Sequence, residues 1–292
     1  MSGNDSADDP ASDRAVVLGG GGLTGLAWLH GVLEELPEVL GDAERVIGTS
    51  AGALLATRLL AGGDADGLRD HIWELADVHV GSIAGLQLLA AQLWPSRRHA
   101  LRWLGRRAGR PVALSEPEFV GLVARAIGTT RWPSSLIVVA VDAVAGRPAY
   151  FTPRSQVELA RAVAASCALP GVLPAVTIEG RPFLDGGLRT PANADLASGC
   201  GRVLILAPQG RSVRGVRRPG HQAARLRADG AEVVLIADDH PGLDAMSEAG
   251  LAGARERGRY AGRKAAVAVR ELYVSGVRVR GRDAGSATAG GR

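Results

Sequence analysis

Short apolar runs alternate with longer amphipathic ones along most of the chain, and that alternation predicts an α/β protein with a mainly parallel sheet. Ala15-Val-Val-Leu18 reads as a short buried strand, and four glycines, Gly19–Gly22, follow it. Leu23–Leu36 places Leu26, Leu29, Val32, Leu33 and Leu36 on one face at helical spacing. Arg45-Val-Ile-Gly48 is a second short strand, and Ala51–Leu60 is a helix rich in Ala and Leu. Asp64 or Asp66 caps a further helix running to about Val78. Ser115-Glu-Pro-Glu118 is a capping box with Pro in the first turn, so a helix runs from there to about Ile127. Ser135–Val141 is the strongest strand, and a turn at Gly146 leads to a short one near Ala149–Thr152. Val157–Cys167 is helical and stops before Leu169-Pro170. Val176–Ile178 and Arg181–Leu184 flank Glu179-Gly180 as a hairpin, and Arg202–Leu206 and Glu232–Ile236 are two more buried strands. A helix from about Leu243 to Val269 and a last strand near Leu272–Val279 complete the expected core. The whole predicts a three-layer α/β/α sandwich over residues 14–280, between an acidic tail, 1–13, and a small polar tail, 281–292, both expected to be disordered.

Composition narrows the class. Of 292 residues 46% are hydrophobic and 22% charged, which excludes chain-wide disorder and leaves enough apolar material for a sizeable core. No unbroken stretch of ~18 apolar residues argues for a membrane-spanning helix. Two cysteines, Cys167 and Cys200, make no disulfide framework. Met1–Asp13 lacks the basic and apolar regions of a signal peptide, so the expected location is cytoplasmic and reducing. The net charge of +4 is carried almost wholly by arginine, Lys264 being the only lysine. With five Trp, three Tyr, three Phe and no nucleic-acid motif, no stacking platform for nucleic acid is expected. Within residues 82–110, apolar Ile83–Trp94 precedes Arg97, Arg98, Arg102, Arg106, Arg107 and Arg110. This reads either as a buried helix followed by a solvated basic one, or as a lid that lies on an anionic membrane.

Three glycine-containing turns hold the candidate chemistry. Gly48-Thr-Ser50-Ala-Gly52 has the form G-x-S-x-G, which chance alone supplies often in a chain with 40 glycines. Its setting, directly after a strand and directly before a helix, is that of a nucleophile elbow, with Ser50 at the positive end of the helix dipole. The plain alternative is a strand–helix turn with Ser50 as its cap. Gly19–Gly22 also follows a strand and opens a helix, so its N–H groups suit an anion. Without a Lys-Ser/Thr ending or a well-placed acidic residue, a nucleotide cradle is the weaker reading and an oxyanion hole the better one. Asp185-Gly186-Gly187 places a carboxylate in a turn after an apolar run, and it is the chain's only D-G-G. A carboxylate raised by partial burial can accept a serine proton and then activate water. His240 completes the chain order Ser50, Asp185, His240 of an α/β-hydrolase triad, a rival to the dyad, though Ser50 comes early for that fold. No His/Cys/Asp/Glu grouping has metal-ligand spacing, and no cofactor is called for.

In order and spacing these turns resemble the patatin-like phospholipase family. The resemblance rests on the loop Gly20-Gly-Gly-Leu-Thr-Gly25, the elbow around Ser50, the segment Ala165-Ser-Cys-Ala-Leu-Pro-Gly171, and Asp185-Gly-Gly187. It implies a patatin-like α/β fold and a serine acyl hydrolase. Ser50 would be the nucleophile, Asp185 the general base, and Gly20, Gly21 and Gly22 the oxyanion donors, with Gly48, Gly52, Gly186 and Gly187 shaping the turns. The implied substrate is a fatty-acyl ester such as a phospholipid or lysophospholipid. Thr24 stands where the family usually carries Arg or Lys. A catalytically silent binding protein on the same fold is the alternative from another class.

Overall fold

Strand pairing follows the alternation closely in the computed structural model, which describes residues 14–68, 99–100, 102–103, 114–210, 218–240 and 248–274. The strands are β1 (Arg14–Leu18), β2 (Arg45–Thr49), β3 (Leu136–Asp142), β4 (Arg147–Phe151), β5 (Val176–Ile178), β6 (Arg181–Asp185), β7 (Arg202–Ala207) and β8 (Glu232–Ala237). They form one sheet in the order β5-β6-β3-β2-β1-β7-β8, with β4 also on β3. The run from β3 to β8 is parallel. β4 and β6 join β3 antiparallel, and β5 and β6 form the expected hairpin. From β1 the parallel strands add β2 and β3 on one side and β7 and β8 on the other, so the loops after β1 and β2 lie where an open sheet of this kind binds its ligands.

Both faces of β1 are buried, and successive residues enter different cores. Val16 and Leu18 pack with Trp28, Leu29, Leu55, Phe119 and Val163 on one side. Ala15 and Val17 pack with Ala194, Ala223 and Leu226 on the other. The first side is built by α1 (Gly22–Glu34), α2 (Ala51–Leu60), α3 (Glu116–Ile127), α4 (Leu159–Cys167) and α6 (Glu248–Val274), and the second by α5 (Pro219–Ala228) with short 3-10 turns. The expected three-layer α/β/α arrangement is therefore present, thicker on one face. The capping box at Ser115 forms as read, each of Ser115 and Glu118 bonding the other's backbone N–H.

One expectation fails. Leu272 and Tyr273 belong to α6 and not to a strand, while residues 275–279 lie outside the described residues. Ala254, Gly258, Gly262, Val269 and Leu272 recur at helical spacing on a buried face, so the helix simply continues. α6 packs along α1 so closely that a Cβ on Gly258 would fall 2.1 Å from the Trp28 carbonyl oxygen, and one on Gly31 2.0 Å from that of Arg255. The helix after Asp64 and the segment 82–110 fall almost wholly outside the described residues, as do both tails.

Candidate active site

The elbow is built by close approach. β2 must end and α2 begin within two residues, and a Cβ at Gly48 would fall 2.6 Å from Ala53 Cα. A Cβ at Gly52 would fall 2.2 Å from the Leu18 carbonyl oxygen, so a larger residue at either position would force strand and helix apart. Between them Ser50 has φ 52° and ψ −121°, a conformation that costs a non-glycine residue about 1–3 kcal/mol. It leaves the Ser50 side chain at the head of α2, half-buried and facing the helix dipole's positive end.

β3 is the ruler that brings the second turn to the first. Thr49 pairs with Val139 and Asp185 with Ala140, adjacent rungs of the same strand. The chain then turns at Gly186, where a Cβ would fall 2.2 Å from the Val139 carbonyl oxygen. As a result Ser50 Oγ donates to Asp185 Oδ2 at 2.8 Å, across 135 residues of sequence. The other carboxylate oxygen, Oδ1, accepts the Gly187 N–H at 2.7 Å. Asp185 is 5% exposed. Burial pushes its carboxyl up to about 6, while the hydrogen bonds from Ser50 and Gly187 pull the other way. A carboxyl at that level is half-ionised near pH 6 and is a competent proton acceptor above it. Burial and the neighbouring Asp185 carboxylate hold the Cys167 thiol well above its ordinary range, so it stays protonated beside the pair.

The glycine loop lies against the elbow, since a Cβ on Gly20 would be 3.3 Å from Ser50 Cβ. Its N–H groups are not equivalent. Gly19 donates to the Leu206 carbonyl at 2.9 Å and Gly20 to the Pro191 carbonyl at 2.8 Å. The Gly20 N–H, expected among the oxyanion donors, is thus committed in this conformation. Gly21 and Gly22 stand at the start of α1, where N–H groups have no acceptor one turn back.

The match to known families covers the same residues. A family model described as patatin-like phospholipase matches residues 16–198. The chain belongs to the patatin-like phospholipase family. Solved structures similar to it include VipD from Legionella pneumophila, 14% identical with a TM-score of 0.47, the match covering 87% of this chain and 66% of that one. The type III effector protein ExoU is 21% identical with a TM-score of 0.38, covering 87% and 53%. Full-length ExoU in complex with full-length SpcU, from the type III secretion system of Pseudomonas aeruginosa, is 16% identical with a TM-score of 0.37, again covering 87% and 53%. The chain therefore spans about half to two thirds of the length of these proteins. No curated protein matches it.

In this patatin-like chain the remaining expectations sort readily. Ser50 and Asp185 meet directly, with no imidazole between them. His240 is exposed on the turn after β8, where its own N–H donates to Asp238 Oδ1 at 3.0 Å. Among the described residues there is no grouping of His, Cys, Asp and Glu that suits a metal, and no helix is long and apolar enough to cross a membrane.

Two buried polar side chains beside the pair went unremarked as single residues in the sequence. Ser166 lies in an otherwise Ala-rich helix, and its Oγ accepts the Ser50 N–H at 2.8 Å. Asn193 follows Asp185-Gly-Gly187 by six positions, and its Nδ2 donates to Thr49 Oγ1 at 3.0 Å. For Ser166 the available signal was a serine within a helix otherwise rich in Ala, whereas Asn193 stands in a stretch between Gly187 and Arg202 that shows no hydrophobic pattern of an element.

Proposed function

We propose that the chain is a serine acyl hydrolase of fatty-acyl esters, working through a Ser50–Asp185 dyad and an acyl-enzyme. The observation that carries this reading is the 2.8 Å hydrogen bond from Ser50 Oγ to a buried carboxylate, made at a positive-φ elbow. In the first half-reaction Ser50 Oγ attacks the ester carbonyl carbon while Asp185 takes its proton. The tetrahedral oxyanion sits toward the Gly21 and Gly22 N–H groups at the head of α1. As the intermediate collapses, Asp185 returns the proton to the leaving alkoxide and an acyl-Ser50 ester remains. In the second half-reaction Asp185 takes a proton from water, the hydroxide attacks the acyl carbonyl, and Ser50 Oγ leaves with that proton. None of these steps requires a metal or cofactor.

Family membership supports a lipid ester, a phospholipid or lysophospholipid, as substrate. A cytoplasmic protein meeting an anionic membrane peripherally through residues 82–110 remains part of the proposal. The direct serine–carboxylate contact favours the dyad over a Ser50-Asp185-His240 triad. The tests are hydrolysis of a short p-nitrophenyl ester and of phospholipid vesicles. Wild-type and His240→Ala protein should turn over alike and Ser50→Ala should be inactive. Loss of activity in His240→Ala would move the mechanism to a triad, and an inactive, folded wild type would leave a silent patatin-fold binding protein.

A further inference from the structure

We propose that Ser166 and Asn193 are positioning residues that fix the Ser50–Asp185 separation from two sides. The inference rests on the hydrolase reading above and concerns what holds its two reacting groups together. Both residues are 0% exposed, so each polar atom they carry must be matched inside the protein.

Ser166 works from α4. Its hydroxyl has one proton, and it donates that proton to the Val139 carbonyl at 2.6 Å. What remains are two lone pairs, one of which accepts the Ser50 N–H at 2.8 Å. That N–H precedes α2 and has no helical acceptor of its own. Two residues later the Ala168 carbonyl accepts the Asp185 N–H at 3.0 Å. The end of one helix therefore holds the backbone N–H of both dyad members, and the hydroxyl anchors that end to the β3 rung opposite Thr49.

Asn193 works from the far side of the turn. Its Nδ2 donates to Thr49 Oγ1 at 3.0 Å and to the Gly186 carbonyl at 3.3 Å. Those are the residue before Ser50 and the residue after Asp185. The amide is kept in this orientation by Arg189 Nη1, which donates to Asn193 Oδ1 at 2.8 Å. Arg189 is itself paired with Asp195. Asn193 has φ 55°, a conformation that Asn tolerates better than most residues. Asn193 thus bridges the nucleophile's strand to the base's turn, and Ser166 ties the nucleophile's backbone to β3, neither touching a reacting atom. A reacting pair displaced by an ångström loses about 100-fold in rate.

The test uses the full chain with Ser166→Ala and Asn193→Gly, the glycine keeping the positive φ while removing the amide. Thr49→Val, nearly isosteric and suited to a strand, removes the acceptor of Asn193 should the glycine variant fail to fold. Turnover of a p-nitrophenyl ester is measured from about pH 5 to about pH 9, with thermal melts and the rate of fluorophosphonate labelling. The expected result is a fall in kcat of about ten- to a hundredfold with KM within about twofold, because positioning acts in the transition state. The acid limb should also move upward, since Asp185 loses part of the Ser50 hydrogen bond that draws its carboxyl down. Cys167, an ionisable neighbour that Asp185 acts on, stays neutral throughout this range. Variants that turn over and label at the wild-type rate would overturn the proposal. So would a loss that merely tracks the unfolded fraction, with the acid limb unmoved. A folded wild type that neither labels nor turns over overturns the hydrolase reading itself, and this inference with it. A labelled wild type beside indifferent variants overturns this inference alone.

Discussion

Two carboxylates in this protein are perturbed in opposite directions, and the contrast separates a structural seam from the candidate active site. At the α1–α6 seam, Glu34 receives hydrogen bonds from Arg259 at 2.7 Å and Arg255 at 2.5 Å. Those two guanidinium groups hold its carboxyl down to about 2. At the end of β6, Asp185 has no such cation among the described residues. Burial pushes it up to about 6 although Ser50 and Gly187 both donate to it. Glycines let backbones touch in both regions, Gly31 and Gly258 at the seam and Gly48, Gly52 and Gly186 at the site. What differs is whether the charge is neutralised by fixed cations. A carboxylate that stays ionised throughout the neutral range is a counter-ion, whereas one poised near 6 can gain and lose a proton.

The largest effect should come from removing the poised group or its partner. Ser50→Ala and Asp185→Asn should each lower ester hydrolysis by about a thousandfold or more. Asp185→Asn should leave the melting temperature near pH 7 unchanged or higher. The native carboxyl binds its proton more tightly than the unfolded one. Its contribution to stability is therefore present below about pH 4 and lost as pH rises through about 6, up to about 3 kcal/mol before the lost hydrogen bonds are counted. A clear drop in melting temperature with activity retained would reverse the assignment of roles between site and seam.

Breaking the seam should do the converse. Gly31→Ala or Gly258→Ala drives a methyl into the facing helix backbone and should cost about 1–3 kcal/mol in denaturant unfolding, with kcat per folded molecule unchanged. The pH profile sharpens the contrast further. Activity should fall about tenfold per pH unit below about 6, as Asp185 takes up its proton. The smallest effect belongs to Glu34→Gln. It should cost about 1 kcal/mol at neutral pH, because Glu34 is partly exposed. That difference should shrink as the wild type is titrated from about pH 4.5 toward 2, where Glu34 protonates.

Much of the site was legible because it is made of short turns. The glycine run, the elbow and Asp185-Gly-Gly187 each show their backbone demands within a few residues, and the strands around them show as short continuous apolar runs. The pairing of Ser50 with Asp185 was readable only through the family's order of motifs, since the β3 register that creates it joins distant segments. Local sequence carries no trace of Pro191 taking the Gly20 N–H, or of Ser166 and Asn193 reaching across from α4 and the turn. The α1–α6 seam was hidden for the same reason. Gly31, Gly258 and Gly262 look like weak spots in two helices until the helices are laid against each other. Leu272 and Tyr273 were read as strand because their apolar character fits either structure, and only their register with Val269 shows the helix.

The most direct measurement is the intact mass of the protein after treatment with a fluorophosphonate at pH 8, with the modified peptide then mapped. One phosphonate on Ser50, absent from Ser50→Ala and greatly slowed in Asp185→Asn, is the expected result. Labelling at another residue, or an unmodified mass from folded wild-type protein, would contradict a Ser50–Asp185 hydrolase.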